Sequence, residues 1–404
     1  MAAGVLALTL AACGSSAASG PGPSSSVPPS LGPRAILTAG YLDSLAPGQS
    51  GALLAWGGNA SGELGDGTTQ DRFTPVTVRG LDGHGTVIGA SAGITHTMAV
   101  MSDGHVLAWG HNSSGELGGK VSGDRPTPGV VDGVEGVRSV SAGDGYSLAL
   151  ESDGTVMAWG NNQSGELGDG NAPIDHASPA PVYGLTGGSG VVQVAAGYSF
   201  GLVLKSDGSV LGWGNGTSGQ IGDGSTTKHS APTPAKGLGP GSGVIQIAAG
   251  GSFSLALKSD GTVMAWGNNQ SGELGDRKAP TDSSIPVQVK GLGPGSGVVE
   301  VAAGGAFCLA LKSDGTVLAW GHNKAGELGD GKPGVDSPVP VQVKGLGKGS
   351  GVVAIAAGGA HAVAITKSGE VVAWGANNVG QLGDGTAPTN QPTPVIAVHG
   401  KAAA

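Results

Sequence analysis

Two cysteines, Cys13 and Cys308, occur in 404 residues, far apart and in unlike surroundings, so no disulfide framework is indicated. Aromatic residues make up 4% of the chain, which leaves Val, Leu, Ile and Ala to build the core. Basic residues are few and scattered, and the formal net charge is −9. A chain without a Lys/Arg stripe lacks the electrostatic footprint of a nucleic-acid binder, and no nucleic-acid partner is expected. No apolar run long enough to cross a bilayer follows the N-terminus. No Gly-x-Ser-x-Gly nucleophile motif stands out, and no glycine-rich loop has the Lys and helix of a phosphate cradle. The residues therefore point to no catalytic group, no cofactor and no metal.

What the chain has in excess is glycine, 81 residues, along with 24 prolines. In a disordered segment they would be scattered, whereas here they recur at fixed offsets between apolar runs and read as turn positions. The organising unit is Ala265-Trp266-Gly267-Asn268-Asn269-Gln270-Ser271-Gly272-Glu273-Leu274-Gly275-Asp276. Close copies surround all seven tryptophans, Trp56, Trp109, Trp159, Trp213, Trp266, Trp320 and Trp374, at steps of 50 to 54 residues. A period of this size signals a solenoid, propeller or array.

The fifth period shows the unit best. Ile245–Ala249 is a short strand, B, closed by Gly250-Gly251. Ser252–Lys258 alternates Phe253, Leu255 and Leu257, as a half-buried strand C does. Asp260-Gly261 is a tight-hairpin signal, and Thr262–Trp266 is strand D. The signature loop and a variable polar stretch lead to strand A, Ile285–Lys290, where an early proline is tolerated. Seven periods of four antiparallel strands predict an all-β, seven-bladed β-propeller, because radial packing covers both faces of every sheet. Arg34–Ala39 reads as a strand B without a preceding A, and Pro394–Val398 as an A without a following B. The sequence thus predicts that the N- and C-terminal strands pair to close the ring.

The chain divides into residues 1–12, 13–34, 35–398 and 399–404. Val5–Cys13 is a short apolar segment ending in Leu10-Ala11-Ala12-Cys13, which resembles a bacterial lipoprotein signal. That resemblance implies cleavage before Cys13 and lipidation of its thiol. Residues 13–34 then form a Ser/Pro/Gly linker, 35–398 the propeller and 399–404 a disordered tail. The implied localisation is the outer face of the cytoplasmic membrane, held by the lipid anchor alone.

Across the propeller, Ala-Gly-x-x-His/aromatic-x-x-Ala-Leu, then Asp-Gly, then Trp-Gly-x-Asn-x-x-Gly-Glu/Gln-Leu-Gly, resembles the regulator of chromosome condensation repeat. The family's fold is a seven-bladed propeller. Its founding member is a chromatin-bound exchange factor for a small GTPase, with acidic residues in the loop after the strand B Ala-Gly. The matching positions here are Tyr41, Ile94, Asp144, Tyr198, Gly251, Gly305 and Gly359, of which only Asp144 is acidic. An exported β-lactamase-inhibiting propeller has similar repeats and binds its enzyme through loops on one face.

Repeated residues point to packing rather than function. The tryptophans read as inter-blade packing. The slot three residues after each Ala-Gly holds Asp43, His96, Tyr146, Phe200, Phe253, Phe307 and His361, so its histidines read as structural. Glu63/Asp66, Glu166/Asp169, Glu273/Asp276 and Glu327/Asp330 lie in loops without the calcium-loop spacing, and turn chemistry accounts for them. Cys308 fills a small core slot of strand C.

Function is expected where copies differ. B–C loops and D–A segments share one face in an up-and-down meander. That face carries Tyr41, Asp144 and Tyr198, with Lys120, Arg125, His176, Lys228, His229, Arg277 and Lys278. The opposite face, with its repeated Ser-Asp-Gly and Gly-Pro-Gly-Ser turns, reads as generic. The expected function is a monomeric, non-enzymatic binding lipoprotein whose partner is a protein or glycan. The alternatives are an inhibitor of an exported hydrolase and, by the family resemblance, a guanine-nucleotide exchange factor.

Overall fold

The structure is a computed structural model. It describes residues 36–48, 51–119 and 122–400. Seven four-stranded antiparallel sheets form seven blades, each built from one contiguous stretch in the order B-C-D-A. In blade 5 these strands are Val244–Ala249, Phe253–Lys258, Val263–Gly267 and Ser283–Gln288. Strand C is the driest, and its Phe253, Leu255 and Leu257 are buried. Strand A, on the outside of the blade, is more exposed along its length. The D–A pairing is interrupted between Ala265 and Gly267 by an irregularity that recurs around the ring. At that point Gly267 has φ +108°, and a Cβ would meet the Ser252 carbonyl oxygen at 2.6 Å, so only glycine fits.

The ring closes in a different way from the expected terminal strand pairing. Strand A of blade 7, Gln391–Val398, pairs with strand D of its own blade, and the described part of strand B of blade 1, Thr38–Ala39, pairs with its own strand C. Because each period already supplies a complete blade, no strand has to be exchanged across the seam. Closure comes instead from packing. Leu37, Ala46 and Trp56 of blade 1 share one apolar cluster with Val363, Val371 and Leu382 of blade 7.

The seam repeats a staple found between every pair of blades. All seven tryptophans are fully buried, and each indole Nε1–H donates to the carbonyl of the Glu or Gln in the preceding blade's signature loop. Trp109 bonds Glu63, Trp159 Glu116, Trp213 Glu166, Trp266 Gln220, Trp320 Glu273 and Trp374 Glu327; Trp56 bonds Gln381 at 3.0 Å and completes the circle. The second residue of strand C adds a donor to that same carbonyl through Ser44, Thr97, Ser147, Ser254 and the Cys308 thiol. Gly201 and Ala362 fill this position in blades 4 and 7 and have no such donor.

The remaining signature residues hold the loop itself. The Glu or Gln side-chain oxygen accepts from the N–H two residues earlier, as from Ser271 to Glu273 and from Ser218 to Gln220. Only an acceptor is required, which is why either residue serves. The Asn side chain accepts from the Leu N–H, as Asn269 does from Leu274. The Asp caps an Asx turn, as Asp276 does for the Lys278 N–H.

Candidate functional site

At one end of the ring the backbone forms a belt around the axis. In six of the seven copies the residue after Ala-Gly donates to the next blade's loop, with Tyr41 N–H to Gly93, Ile94 to Gly143, Asp144 to Tyr198, Gly251 to Gly304, Gly305 to Gly358 and Gly359 to Gly40. The start of each D–A segment bonds the same loops, as Gly58 does to Leu42 and Asn268 to Ser252. B–C loops and D–A segments therefore lie at the same end.

The seven Ala-Gly pairs, with Tyr41, Ile94 and Tyr198, line a shallow central depression. Tyr41 and Tyr198, from blades 1 and 4, meet edge to face with ring centroids 6.0 Å apart. They fit because the same loop position is glycine in blades 5 to 7. A Cβ on Gly359 would lie 2.5 Å from the Tyr41 ring, and one on Gly305 would lie 2.6 Å from the Tyr198 hydroxyl. The loss of side chains in blades 5 to 7 and the tyrosines of blades 1 and 4 form one arrangement. Burial, with Tyr41 and Asp144 nearby, pushes the Tyr198 phenol well above its usual value, so it is a neutral hydroxyl. Partial desolvation raises the Asp144 carboxyl above its ordinary value. The central depression is thus aromatic, and Asp144 lies in the adjacent loop, its N–H bonded to the Tyr198 carbonyl.

The outer part of the face is more divided. His176 and His229 bond the Asx-turn aspartates of their own blades, Asp169 at 2.9 Å and Asp223 at 3.0 Å. Blade 2 has Gly119 in place of that aspartate, and Arg125 turns inward, donating to the Ala108 and Gly129 carbonyls. These three residues hold their own blades together. Lys228, Arg277 and Lys278 are exposed. Lys120 and Cys13 lie outside the described residues.

Arg277 stands out. It is the one non-glycine residue with positive φ, at 70°, among the described residues. Its N–H donates to Pro338 of the next blade, as Gly67, Gly170, Gly224, Gly331 and Gly385 do to theirs. An arginine where five copies use glycine carries backbone strain, a signal readable in the sequence by aligning the residue after each Leu-Gly-Asp.

His96 and His361 sit beneath the belt, fully buried. Each Nε2 lies 2.8 Å from a serine of the next blade, Ser147 and Ser44. Those serine hydroxyls donate to the Glu116 and Gln381 carbonyls, so the histidines must donate through Nε2. Burial lowers their pKa to about 3 and about 4. They bridge blades as neutral imidazoles.

The opposite face departs from the generic expectation in one place. The loop before blade 2 and that blade's C–D hairpin bring His84, Asp103 and His105 together. Sequence reading passed over them because each alone looks like an ordinary turn substitution.

Residues 174–404 match the family model described as the RCC1-like domain, and residues 50–100 and 103–150 match the regulator of chromosome condensation (RCC1) repeat. The chain is 32% identical over 351 residues to the ultraviolet-B receptor UVR8 of Arabidopsis thaliana, covering 87% of this chain and 78% of that protein. It is 35% identical over 358 residues to the E3 ubiquitin-protein ligase HERC2 of Homo sapiens, covering 87% of this chain but only 6% of that much longer protein. Among solved structures it is similar to Prp20p of Saccharomyces cerevisiae, with a TM-score of 0.75 and 26% identity, covering 91% of this chain and 88% of that one. That structure was described with the binding of Prp20p to Gsp1p and histones.

Proposed function

The chain belongs to the RCC1 repeat family, and from that membership we propose that it is a non-enzymatic binding module receiving a protein partner on the face formed by its B–C loops and D–A segments. The observation that carries the reading is the break in seven-fold symmetry at the axis. Tyr41 and Tyr198 converge over glycines that make room for them, and Asp144 lies in the loop bonded to Tyr198. Two aromatic rings and a carboxylate suit a cationic side chain of the partner, through cation–π and charge-assisted contacts. Exposed Lys228, Arg277 and Lys278 offer acidic partner residues a second contact further out. Replacing Tyr41, Asp144 and Tyr198 together by alanine tests the reading: capture of the partner falls at least about tenfold, and unchanged capture moves the site off this face.

The exported, lipid-anchored setting rests on Leu10-Ala11-Ala12-Cys13. Palmitate labelling that disappears in Cys13→Ala supports it, and unlabelled wild-type protein removes it. A second reading, guanine-nucleotide exchange, is favoured by the likeness to Prp20p, whose binding to Gsp1p is described, and by the single acidic loop residue Asp144. Release of a fluorescent guanine nucleotide from a Ran-type GTPase distinguishes the two readings.

A further inference from the structure

We propose that His84, Asp103 and His105 form a binding site for a zinc-class divalent metal ion on the face opposite the axial tyrosines. The Nδ1 atoms of His84 and His105 lie 3.4 and 3.0 Å from one oxygen, Asp103 Oδ2. All three ligand atoms fall within 4.8 Å of one another. Zinc takes imidazole nitrogen and carboxylate oxygen at about 2.0–2.1 Å, so neighbouring ligands of a tetrahedral ion sit about 3.3 Å apart. The two separations bracket that spacing, and the set closes around an ion by small rotations of the half-buried His84 and the exposed His105 side chains.

The carboxylate is already fixed for the task. Asp103 Oδ1 accepts the His105 N–H and caps the hairpin turn, as Asp153, Asp207, Asp260 and Asp314 do in other blades. This leaves Oδ2 directed at the two imidazoles, and a ligand oriented by a second hydrogen bond is what a metal site needs. In those four blades the residue after the hairpin glycine is Thr155, Ser209, Thr262 or Thr316. Before blades 4 to 7, the A–B loop carries a serine, Ser189, Ser242, Ser296 or Ser350, whose hydroxyl bonds a hairpin carbonyl. The loop before blade 2 has Gly85 in the place of that serine and His84 in the place of the glycine before it. Two histidines therefore enter at separate sequence positions and converge on the one turn aspartate. The His105 side chain is 52% exposed and that of Asp103 36%, so the fourth tetrahedral position opens to solvent and takes water or a side chain of a bound molecule. Imidazole with carboxylate favours zinc, cobalt, nickel or copper over magnesium or calcium.

The test is titration of the chelator-treated full chain with zinc against a chromophoric competitor, and with cobalt(II) read by visible absorption. The expected result is about one zinc per chain and the intense visible band of tetrahedral cobalt. His84→Ala and His105→Ala each weaken zinc binding at least about tenfold. Asp103→Asn retains the turn cap, so its loss of affinity reports the anionic ligand. The control His176→Ala/His229→Ala leaves stoichiometry and affinity unchanged. Tryptophan fluorescence confirms that each variant is folded. An absence of zinc binding by the wild type, or undiminished binding by folded His84→Ala/His105→Ala, overturns the site.

Discussion

His96 and His361 show how one slot can serve packing and still carry a pH signature. Both are neutral in the folded protein, with pKa lowered from 6.5 to about 3 and about 4. In the unfolded chain they regain ordinary imidazole behaviour. Below pH 6.5 the unfolded state therefore binds more protons than the folded one, and stability falls as pH drops. The contribution is complete above pH 6.5 and is lost progressively toward about pH 4 for His361 and about pH 3 for His96, each histidine costing on the order of 1 kcal/mol per pH unit. Phe occupies the slot in blades 4 to 6, so His96→Phe/His361→Phe should flatten this acid limb in denaturant titrations between pH 7 and 4. The buried acids Asp43, Glu63, Glu116, Glu166 and Glu273 have raised pKa values and pull the other way, so the readout is the difference between variant and wild type. Arg277 is the second residue-scale case. Relief of its positive φ outweighs the greater chain freedom of glycine, and Arg277→Gly should stabilise by roughly 0.5 kcal/mol while weakening partner capture. A stability gain without any loss of capture would place Arg277 outside the binding surface.

At the level of the blade, the staple between neighbours makes a differential prediction. In Trp266→Phe the Gln220 carbonyl keeps its bond from Ser254. In Trp213→Phe and Trp374→Phe the Glu166 and Glu327 carbonyls have no strand C hydroxyl to fall back on, because Gly201 and Ala362 stand there. An orphaned buried acceptor costs about 1–3 kcal/mol, so these two variants should unfold at lower denaturant than Trp266→Phe by that margin. Equal midpoints for all three would contradict the role given to the carbonyl. Strand type, strand order and blade count were legible in the sequence, because Trp-Gly recurs in all seven copies and the Asp-Gly hairpin in five of them. The role of the Glu/Gln backbone was not, since its partner lies about one period away and involves a carbonyl that every residue possesses. For the same reason Arg125, His176 and His229 read as candidates for the binding face: what they bond depends on local turn geometry and, for Arg125, on the aspartate missing from blade 2.

For the whole molecule, closure without strand exchange means that the seam between blades 7 and 1 resembles every other interface. Trp56→Phe leaves Ser44 bonded to Gln381, just as Trp266→Phe leaves Ser254 bonded to Gln220. Their stability costs should agree within about 0.5 kcal/mol; a negligible cost for Trp56→Phe would mean that the ring is open at the seam. A terminal strand with no visible partner suggested pairing across the ends, but each period is a full blade and both end strands find partners at home. The two faces also differ from their sequence reading. The tyrosines at the axis stand out in the sequence once the loops are aligned, whereas the His84–Asp103–His105 cluster appears only when loop and hairpin are brought together. A rigid ring that breaks its symmetry at the axis of one face is the basis for assigning partner binding there. The most direct measurement is site-specific photocrosslinking from a benzophenone side chain at Tyr198, compared with the same probe at Lys348 on the opposite face. A discrete partner adduct from position 198 that is lost in Asp144→Ala, with none from 348, is the predicted result. Adducts from 348 alone, or adducts from 198 indifferent to Asp144, would contradict the assignment.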